Sequence, residues 1–220
     1  MKPLSTELQD AETLRELGSA SVQIVHDLKN QLNGLKLYAT FLRKRMEKSE
    51  RPADELETIA KLIAGLERAA GDMTLLVRYG RPLELRPRPG TDLSRLLSEA
   101  AEGRSVEADE GPFDGDFDHD ALKEALKNIT QGGRAAAAPA GADGATGIRL
   151  RRAREGTDAA AAVIEWHGFT QAGEDIFRGF AGGEGLRLAL ASKIIRAHGG
   201  VVEQDGDVLR ARLPLQTDVE

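Results

Sequence analysis

The amino-terminal third of the chain carries apolar residues in alternating steps of three and four. The first run consists of Leu14, Leu17, Ile24, Leu28, Leu35 and Leu42, with Ser21 and Gln31 in weaker positions. The second run consists of Leu56, Ile59, Ile63, Leu66, Ala70, Met73 and Val77. This spacing is typical of the a/d seam of a coiled-coil helix, so each run predicts a long amphipathic helix.

The segment between the two runs, KSERPADE, is short and polar. It places Pro52 at the start of the second helix and Asp54 in its first turn. Two long helices joined by a short turn form an antiparallel hairpin. Because one hairpin cannot cover its own apolar stripe, we expect two chains to pair as a four-helix bundle. The alternative is a hairpin that packs on the rest of the same chain.

The helical periodicity stops in GRPLELRPRPG, which reads as a linker because of its prolines and glycines. The expected organisation is a helical hairpin over 1–80, a linker over 81–90 and a second domain over 91–220. Within the second domain the pattern predicts a helix capped by Thr91 or Asp92, a helix over 116–131, strands in GIRLRRA and AAAAVIEWHGF, a helix in EGLRLALASKIIRAHGG and a final hairpin turning at Asp205 and Gly206. This order favours an α+β sandwich.

Composition narrows the possible functions. The net charge is −6 and there is no polybasic block, so neither nucleic acid nor a membrane surface is an expected partner. The absence of cysteine excludes a disulfide framework, thiol catalysis and thiolate metal sites. The first residues are too charged for a signal peptide, and no apolar run reaches membrane-spanning length. We therefore expect a soluble, cytoplasmic protein.

The segment HDLKNQLN lies within the first predicted helix and contains side chains that could take part in a reaction. With Leu28 on the seam, His26 lies about 200° away around the helix, on its wet side together with Asn30. An exposed imidazole offers a nucleophilic nitrogen at neutral pH, and the carboxylate of Asp27 can orient the ring or take its proton. The amide of Asn30 could hold a water molecule. This grouping predicts a phosphoryl acceptor rather than an ordinary solvated histidine.

HDLKNQL resembles the H-box of two-component histidine kinases. GEGLRLALASKIIRAHGGVVEQDGDVLRARLPL is similar to the end of the ATP-binding domain of the same family. The resemblance implies an α+β protein, in which a dimeric helical hairpin precedes a histidine-kinase-like α/β sandwich of the ATPase type. It also implies that His26 is the phosphoacceptor and Asp27 the assisting acid, and that Asn30 positions water for dephosphorylating a partner. We expect Lys29, Asn33 and Lys36 to help dock a response-regulator receiver domain.

The sequence departs from the family where ATP and Mg²⁺ would bind. In the run NITQGG, Asn128 meets the first asparagine of the N-box, but Gly132 stands in place of the second, which would ligate the metal. Glycine offers no side-chain oxygen to Mg²⁺. In the adenine-reading box, EWHGF keeps Glu165 and Gly168 but has no aspartate.

The last glycine-rich box also departs from the family. Gly183 and Gly185 remain, whereas Arg187 replaces a glycine that lets the backbone approach phosphate. We therefore expect a vestigial nucleotide pocket, with no resident metal and no cofactor.

The leading hypothesis is a homodimeric histidine phosphotransferase. It would pass a phosphoryl group between His26 and a receiver aspartate without ATP, with Mg²⁺ held by the receiver. An upstream histidine kinase is a further expected partner. One alternative is an active soluble histidine kinase that uses ATP and Mg²⁺. The other is a non-catalytic regulator that binds a kinase or a receiver.

Overall fold

A computed structural model of the chain describes residues 4–47, 53–136, 147–155, 159–167 and 182–216. The chain forms two compact units, Met1–Pro82 and Leu83–Glu220. The elements are α1 (Leu4–Met46), α2 (Ala53–Gly80), β1 (Arg88–Asp92), α3 (Leu93–Ala100), β2 (Val106–Ala108), β3 (Asp114–Phe117), α4 (His119–Ala136), β4 (Ile148–Glu155), β5 (Ala159–Trp166), α5 (Gly182–Ala197), β6 (Val201–Asp205) and β7 (Val208–Pro214). The mixed helix-and-sheet class is confirmed.

The first unit is an antiparallel hairpin of α1 and α2. The ion pair between Lys36 and Glu67, with 2.7 Å between Nζ and Oε1, joins the two helices midway along their contact. Ala39 and Ile63 are its only buried apolar residues among those whose side chains are described. Pro52, predicted to begin the second helix, lies outside the described residues.

The face of α1 that packs on α2 differs from the predicted seam. Half-buried or buried side chains recur in α1 at Val25, Lys29, Leu32, Lys36, Ala39, Arg43 and Met46. The predicted seam residues Leu28, Leu35 and Leu42 are instead exposed. They lie about 100° to one side of the packed stripe, because each precedes one of its members by a single residue. The strongest hydrophobic pattern of α1 therefore marks a face that α2 leaves uncovered.

The second unit contains a five-stranded sheet with the order β2-β4-β5-β7-β6. β2 pairs with β4 in parallel, and the other pairs are antiparallel. β1 and β3 form a separate antiparallel pair. The core is apolar and includes these fully buried side chains: Leu93, Leu97, Phe117, Leu122, Leu126, Ile129, Ile164 and Trp166.

Local signals in the sequence placed several elements correctly. The carboxylate of Asp92 caps α3 by accepting from the N–H groups of Ser94 and Arg95. The predicted pairing of the two strand runs appears as the β4–β5 hairpin. α5 ends before Gly199, and Gly206 turns the β6–β7 hairpin; both glycines have positive φ, which favours a residue without Cβ.

The predicted helix over 116–131 begins later than expected. Asp116 and Phe117 belong to β3, and α4 begins at His119 after Asp118, whose Oδ1 accepts from the N–H of Ala121. The reason is the burial of Phe117, whose ring also fills the space beside Gly115. Residues 88–90, assigned to the linker from the sequence, belong to β1, in which Arg88 pairs with Phe117 and the register shifts before Thr91.

Candidate functional site

His26 lies in α1 with half of its side chain exposed. Its Nδ1 atom is 3.5 Å from Oδ1 of Asp27 and 3.4 Å from Nδ2 of Asn30. The helix creates this grouping, because residues four apart meet on one face and Asp27 follows directly in sequence. Both contacts use Nδ1, so Nε2 is the ring nitrogen without a partner among the described residues. Nε2 is therefore the candidate nucleophile of the ring.

The predicted docking residues do not all share this face. Asn33 is exposed and lies about 20° from His26 around the helix. Lys29 and Lys36 belong to the stripe that packs on α2, and the ammonium of Lys36 is engaged by Glu67. That pairing places the pKa of Glu67 below its ordinary value, mainly through the hydrogen bond from Lys36. The two lysines therefore contribute to the packing of α1 on α2 rather than to the face that carries His26.

Two residues on the His26 side were not selected from the sequence. Leu37 and Phe41 are exposed and lie about 20° and 60° from His26 around the helix. They form a small apolar surface on the carboxyl-terminal side of the histidine, next to the exposed Lys44. Their spacing of eleven and fifteen residues from His26 is the sequence signal that places them on the same side of the helix. We call Asn33, Leu37, Phe41 and Lys44 the histidine-side surface.

The N-box residues lie on α4. Asn128 is 9 % exposed, and its Nδ2 has no hydrogen-bond partner in the described part of the chain. A Cβ added at Gly132 would lie 3.1 Å from a methyl carbon of Leu188 in α5. The two helices are therefore in direct contact where the family's second asparagine would project.

Trp166 faces α4 from the end of β5. Its indole N–H donates to Oγ1 of Thr130 at 3.1 Å, and the side chain is fully buried. Alternation along the strand then sends Glu165 to the opposite face of the sheet. Glu165 does not join Asn128 and Gly132, so its assignment to the vestigial nucleotide pocket is not supported by this geometry.

Glu165 instead centres an ion network. It is 3 % exposed and pairs with Arg151 and with Arg210, whose Nε donates to Oε1 at 3.0 Å. Burial alone would raise the pKa of Glu165, but hydrogen bonds from the two guanidinium groups outweigh it and hold the pKa below its ordinary value. The strand register places Glu165 in a row of alternating charge across all five strands: Glu107, Arg149, Glu165, Arg210 and Glu203.

The glycine-rich box forms the start of α5. Gly183 and Gly185 lie in its first turn, and Arg187 is exposed between the buried residues Leu186 and Leu188. Gly168 lies outside the described residues. No group of three or more acidic or histidine side chains that could hold a metal ion occurs within the ranges that the structure describes. None of the described helices is both long enough and apolar enough to cross a membrane.

Comparisons with known proteins give a clear structural likeness and no sequence match. No protein-family model and no curated protein matches the chain. Full-length ShkA in complex with AMPPNP matches with a TM-score of 0.61 and 19 % identity, over 90 % of this chain and 46 % of ShkA. The chain thus spans about half of ShkA. The Acinetobacter baumannii histidine kinase AdeS matches with a TM-score of 0.53 and 14 % identity, over 86 % of this chain and 97 % of AdeS. The resemblance drawn from the two sequence motifs is thereby confirmed at the level of structure: the chain has the fold of the two-component sensor histidine kinases.

Proposed function

We propose that the chain is a homodimeric histidine phosphotransferase in two-component signalling. It moves a phosphoryl group between His26 and the aspartate of a response-regulator receiver domain, and it does so without ATP. The observation that carries this proposal is the half-exposed His26, whose Nδ1 contacts Asp27 and Asn30 while Nε2 has no partner among the described residues.

The transfer uses the two ring nitrogens differently. The lone pair of Nε2 attacks the phosphorus of the receiver's aspartyl phosphate, and the bond from phosphorus to the aspartate oxygen breaks with its electron pair on that oxygen. The proton on Nδ1 can then leave through Asp27, so that a neutral phosphoimidazole remains. The reverse transfer returns the proton to Nδ1. Mg²⁺ held by the receiver would screen the phosphoryl charge.

Dimerisation is supported by the uncovered apolar side of the hairpin. On α1, Ile24, Leu28, Leu35 and Leu42 lie about 100° before the packed stripe, and on α2 Leu62 and Leu76 are displaced in the same sense. Because the helices are antiparallel, the same sense of rotation places both sets on one side of the hairpin. A second copy can cover this two-helix apolar face as a four-helix bundle. His26 lies on the other side of α1 and stays accessible.

The histidine-side surface suits a receiver. Leu37 and Phe41 offer apolar contact area on the same side of α1 as His26, about 16 and 22 Å farther along the helix axis, and Asn33 and Lys44 offer polar contacts along the same side. Apolar anchors ringed by polar groups are the usual composition of a protein interface. Docking on this surface would bring a receiver aspartate to Nε2 without disturbing the apolar face proposed for the dimer.

Independence from ATP is supported by the packing between α4 and α5. Leu188 occupies the space in front of Gly132, and the Trp166 side chain fills the face of β5 that looks toward α4. Neither residue offers a ligand for Mg²⁺. A phosphoryl group on His26 would therefore come from another protein, either a receiver or an upstream histidine kinase.

A labelling experiment tests the proposal. Purified receiver domains carrying a radioactive aspartyl phosphate are mixed with the chain, and we expect label to appear on the wild type. His26→Ala should remove the label, whereas His119→Ala should keep it, since His119 is a comparably exposed histidine at 43 % against 50 % for His26. Label that persists in His26→Ala would contradict the proposal.

One observation favours the kinase alternative. The amide of Asn128 is buried without a partner among the described residues, and such a group costs stability unless something satisfies it. Titration calorimetry with ATP and Mg²⁺ separates the cases: micromolar binding, about −8 kcal/mol, that is lost in Asn128→Ala would support an ATP-using kinase. No heat at millimolar ATP would support the ATP-independent relay. If His26→Ala left partner-dependent activity intact, the non-catalytic regulator would be favoured.

A further inference from the structure

Two side chains compete for one atom at His26. Nδ2 of Asn30 is 3.4 Å from Nδ1, and Oδ1 of Asp27 is 3.5 Å from the same nitrogen. An imidazole nitrogen has a single in-plane position, which holds either a proton or a lone pair. The amide N–H of Asn30 needs the lone pair, and the carboxylate of Asp27 needs the proton. In a neutral ring, a hydrogen bond from Asn30 to Nδ1 and a hydrogen bond from Nδ1 to Asp27 therefore exclude each other.

Each hydrogen bond selects a different tautomer of the ring. When Asn30 donates to Nδ1, the ring proton is on Nε2, and Nε2 has no in-plane lone pair to offer. When Nδ1–H donates to Asp27, Nε2 carries the lone pair and is nucleophilic. Both partners are side chains of the same rigid helix, so the choice requires only small rotations of exposed groups.

We propose that Asn30 is a positioning residue that holds His26 in the unreactive Nε2–H tautomer, and that Asp27 draws it into the reactive Nδ1–H tautomer. The inference rests on the proposed function, since it matters for rate only if His26 accepts a phosphoryl group. It assigns Asn30 a role on the resting histidine, separate from the water-positioning role implied by the family resemblance.

The same contact acts on the phosphorylated ring. With phosphorus on Nε2, the N–P bond breaks most readily when Nδ1 is protonated, because a neutral imidazole then leaves. Asn30 donates to the unprotonated Nδ1 and so favours the state that keeps the phosphoryl group. Asp27 near Nδ1 favours the protonated state that releases it. Asn30 thus slows both loading and unloading.

Nitrogen-15 NMR of the histidine side chains measures the tautomers directly. The chain has four histidines, and His26→Ala identifies the resonances of His26. His198 provides an internal reference for the Nδ1–H form, because its Nδ1 lies 2.8 Å from the carbonyl oxygen of Ile194 and its Nε2 accepts from the N–H of Asp118 at 3.0 Å. Spectra are recorded at about pH 9, where an ordinary histidine is neutral.

Two substitutions of Asn30 give the expected shifts. Asn30→Ala should move the tautomer ratio of His26 toward Nδ1–H by roughly threefold to tenfold, the size of one lost exposed hydrogen bond. Asn30→Asp keeps the shape but replaces a donor with an acceptor, so it should move the ratio further in the same direction. After loading with phosphoramidate, Asn30→Ala should also shorten the lifetime of phosphorylated His26.

The opposite results overturn the inference. An unchanged tautomer ratio in Asn30→Ala would mean that Asn30 does not restrain the ring, and a shift toward Nε2–H would mean that its amide accepts from Nδ1–H instead. The spectra need no partner and no phosphoryl donor. They can therefore fail while the receiver labelling succeeds, or succeed while the labelling fails, so the two ideas are tested separately.

Discussion

The reactivity of His26 depends on few groups, because half of the ring is in water and its described contacts are both made through Nδ1. Solvent screens more distant charges at such a site, so neighbours within hydrogen-bond reach have the largest effect. The sequence identified these neighbours because they are local, within four positions on one helix. The sequence therefore predicts which residues surround His26, but it does not show that Asp27 and Asn30 both contact Nδ1.

Removing the acid next to His26 should slow phosphoryl transfer. Asp27→Asn keeps the shape of the side chain but removes the carboxylate that can take the Nδ1 proton, and we expect the transfer rate to fall roughly a hundredfold. Rapid-quench measurements with a labelled receiver would give the rate. Asp54→Asn, at an exposed acid on α2, serves as the control. An equal loss in both variants would assign the effect to general charge instead.

Packing between whole elements explains the parts of the fold that the sequence did not predict. β1 and β3 are short, and they pair across the intervening α3 and β2, so the register is fixed by partners far away in sequence. The pairing of Lys36 with Glu67 is likewise set by the neighbouring helix. Caps and glycine stops, such as Asp92 and Gly199, were predictable because their signals lie within a few residues.

The contact between α4 and α5 predicts that restoring the family's second asparagine, by Gly132→Asn, destabilises the fold. Gly132→Asn introduces atoms where Leu188 already lies, and we expect it to lower the free energy of unfolding by about 1–3 kcal/mol. Urea denaturation followed by fluorescence reports on this unit, since Trp166 is the chain's single tryptophan.

Two comparisons make that experiment specific. Adding Leu188→Ala to Gly132→Asn should recover part of the loss by making room. Gly71→Asn places the same residue in a helix where a Cβ meets nothing within 4 Å, and it should leave stability nearly unchanged. A Gly132→Asn variant as stable as Gly71→Asn would contradict the packing argument.

The ion network on the sheet predicts a specific acid sensitivity. The pKa of Glu165 lies below its ordinary value, so its stabilising contribution is complete above the ordinary glutamate range and is lost as the pH falls through the lowered folded value. Glu165→Gln should lower the free energy of unfolding by about 3 kcal/mol at neutral pH and make it depend less on pH in the acidic range. Urea unfolding midpoints of the wild type and the variant over an acidic pH series would measure both effects.

The matched control for Glu165 is in the same row of the sheet. Glu203 also pairs with Arg210, but it is 60 % exposed. Because exposed ion pairs contribute little, Glu203→Gln should cost less than about 1 kcal/mol and leave the pH profile unchanged. Similar profiles for the two variants would show that burial of Glu165 is not the source of the effect.

At the scale of the whole molecule, assembly is the property that the apolar pattern predicts most strongly. The sequence predicts that the prominent stripe of α1 lies at the seam of the hairpin, whereas Leu28, Leu35 and Leu42 are exposed in the structure. Val25, Leu32 and Ala39 take that role instead, on a stripe that also contains lysine and is therefore less conspicuous in the sequence. A pattern of hydrophobicity indicates burial but does not identify the partner.

Two leucines of equal exposure test the proposed dimer. Leu35 and Leu37 are each 54 % exposed but lie about 200° apart around α1. Leu35→Glu should convert the dimer to a monomer in sedimentation equilibrium, because it places a charge within the apolar face. Leu37→Glu should leave the dimer intact and weaken labelling by the receiver. Dissociation by Leu37→Glu alone would reverse the assignment of the two faces.

The contact of Gly132 with Leu188 also constrains how the chain can change over generations. Asparagine at 132 meets a filled space, and shortening Leu188 first leaves a cavity that costs about 2–5 kcal/mol. Either single step is a disadvantage, so a metal-ligating amide is reached only by two coordinated substitutions. Under the proposed function, a return to ATP use would require both substitutions together. We therefore expect selection to keep this chain together with the protein that supplies its phosphoryl group.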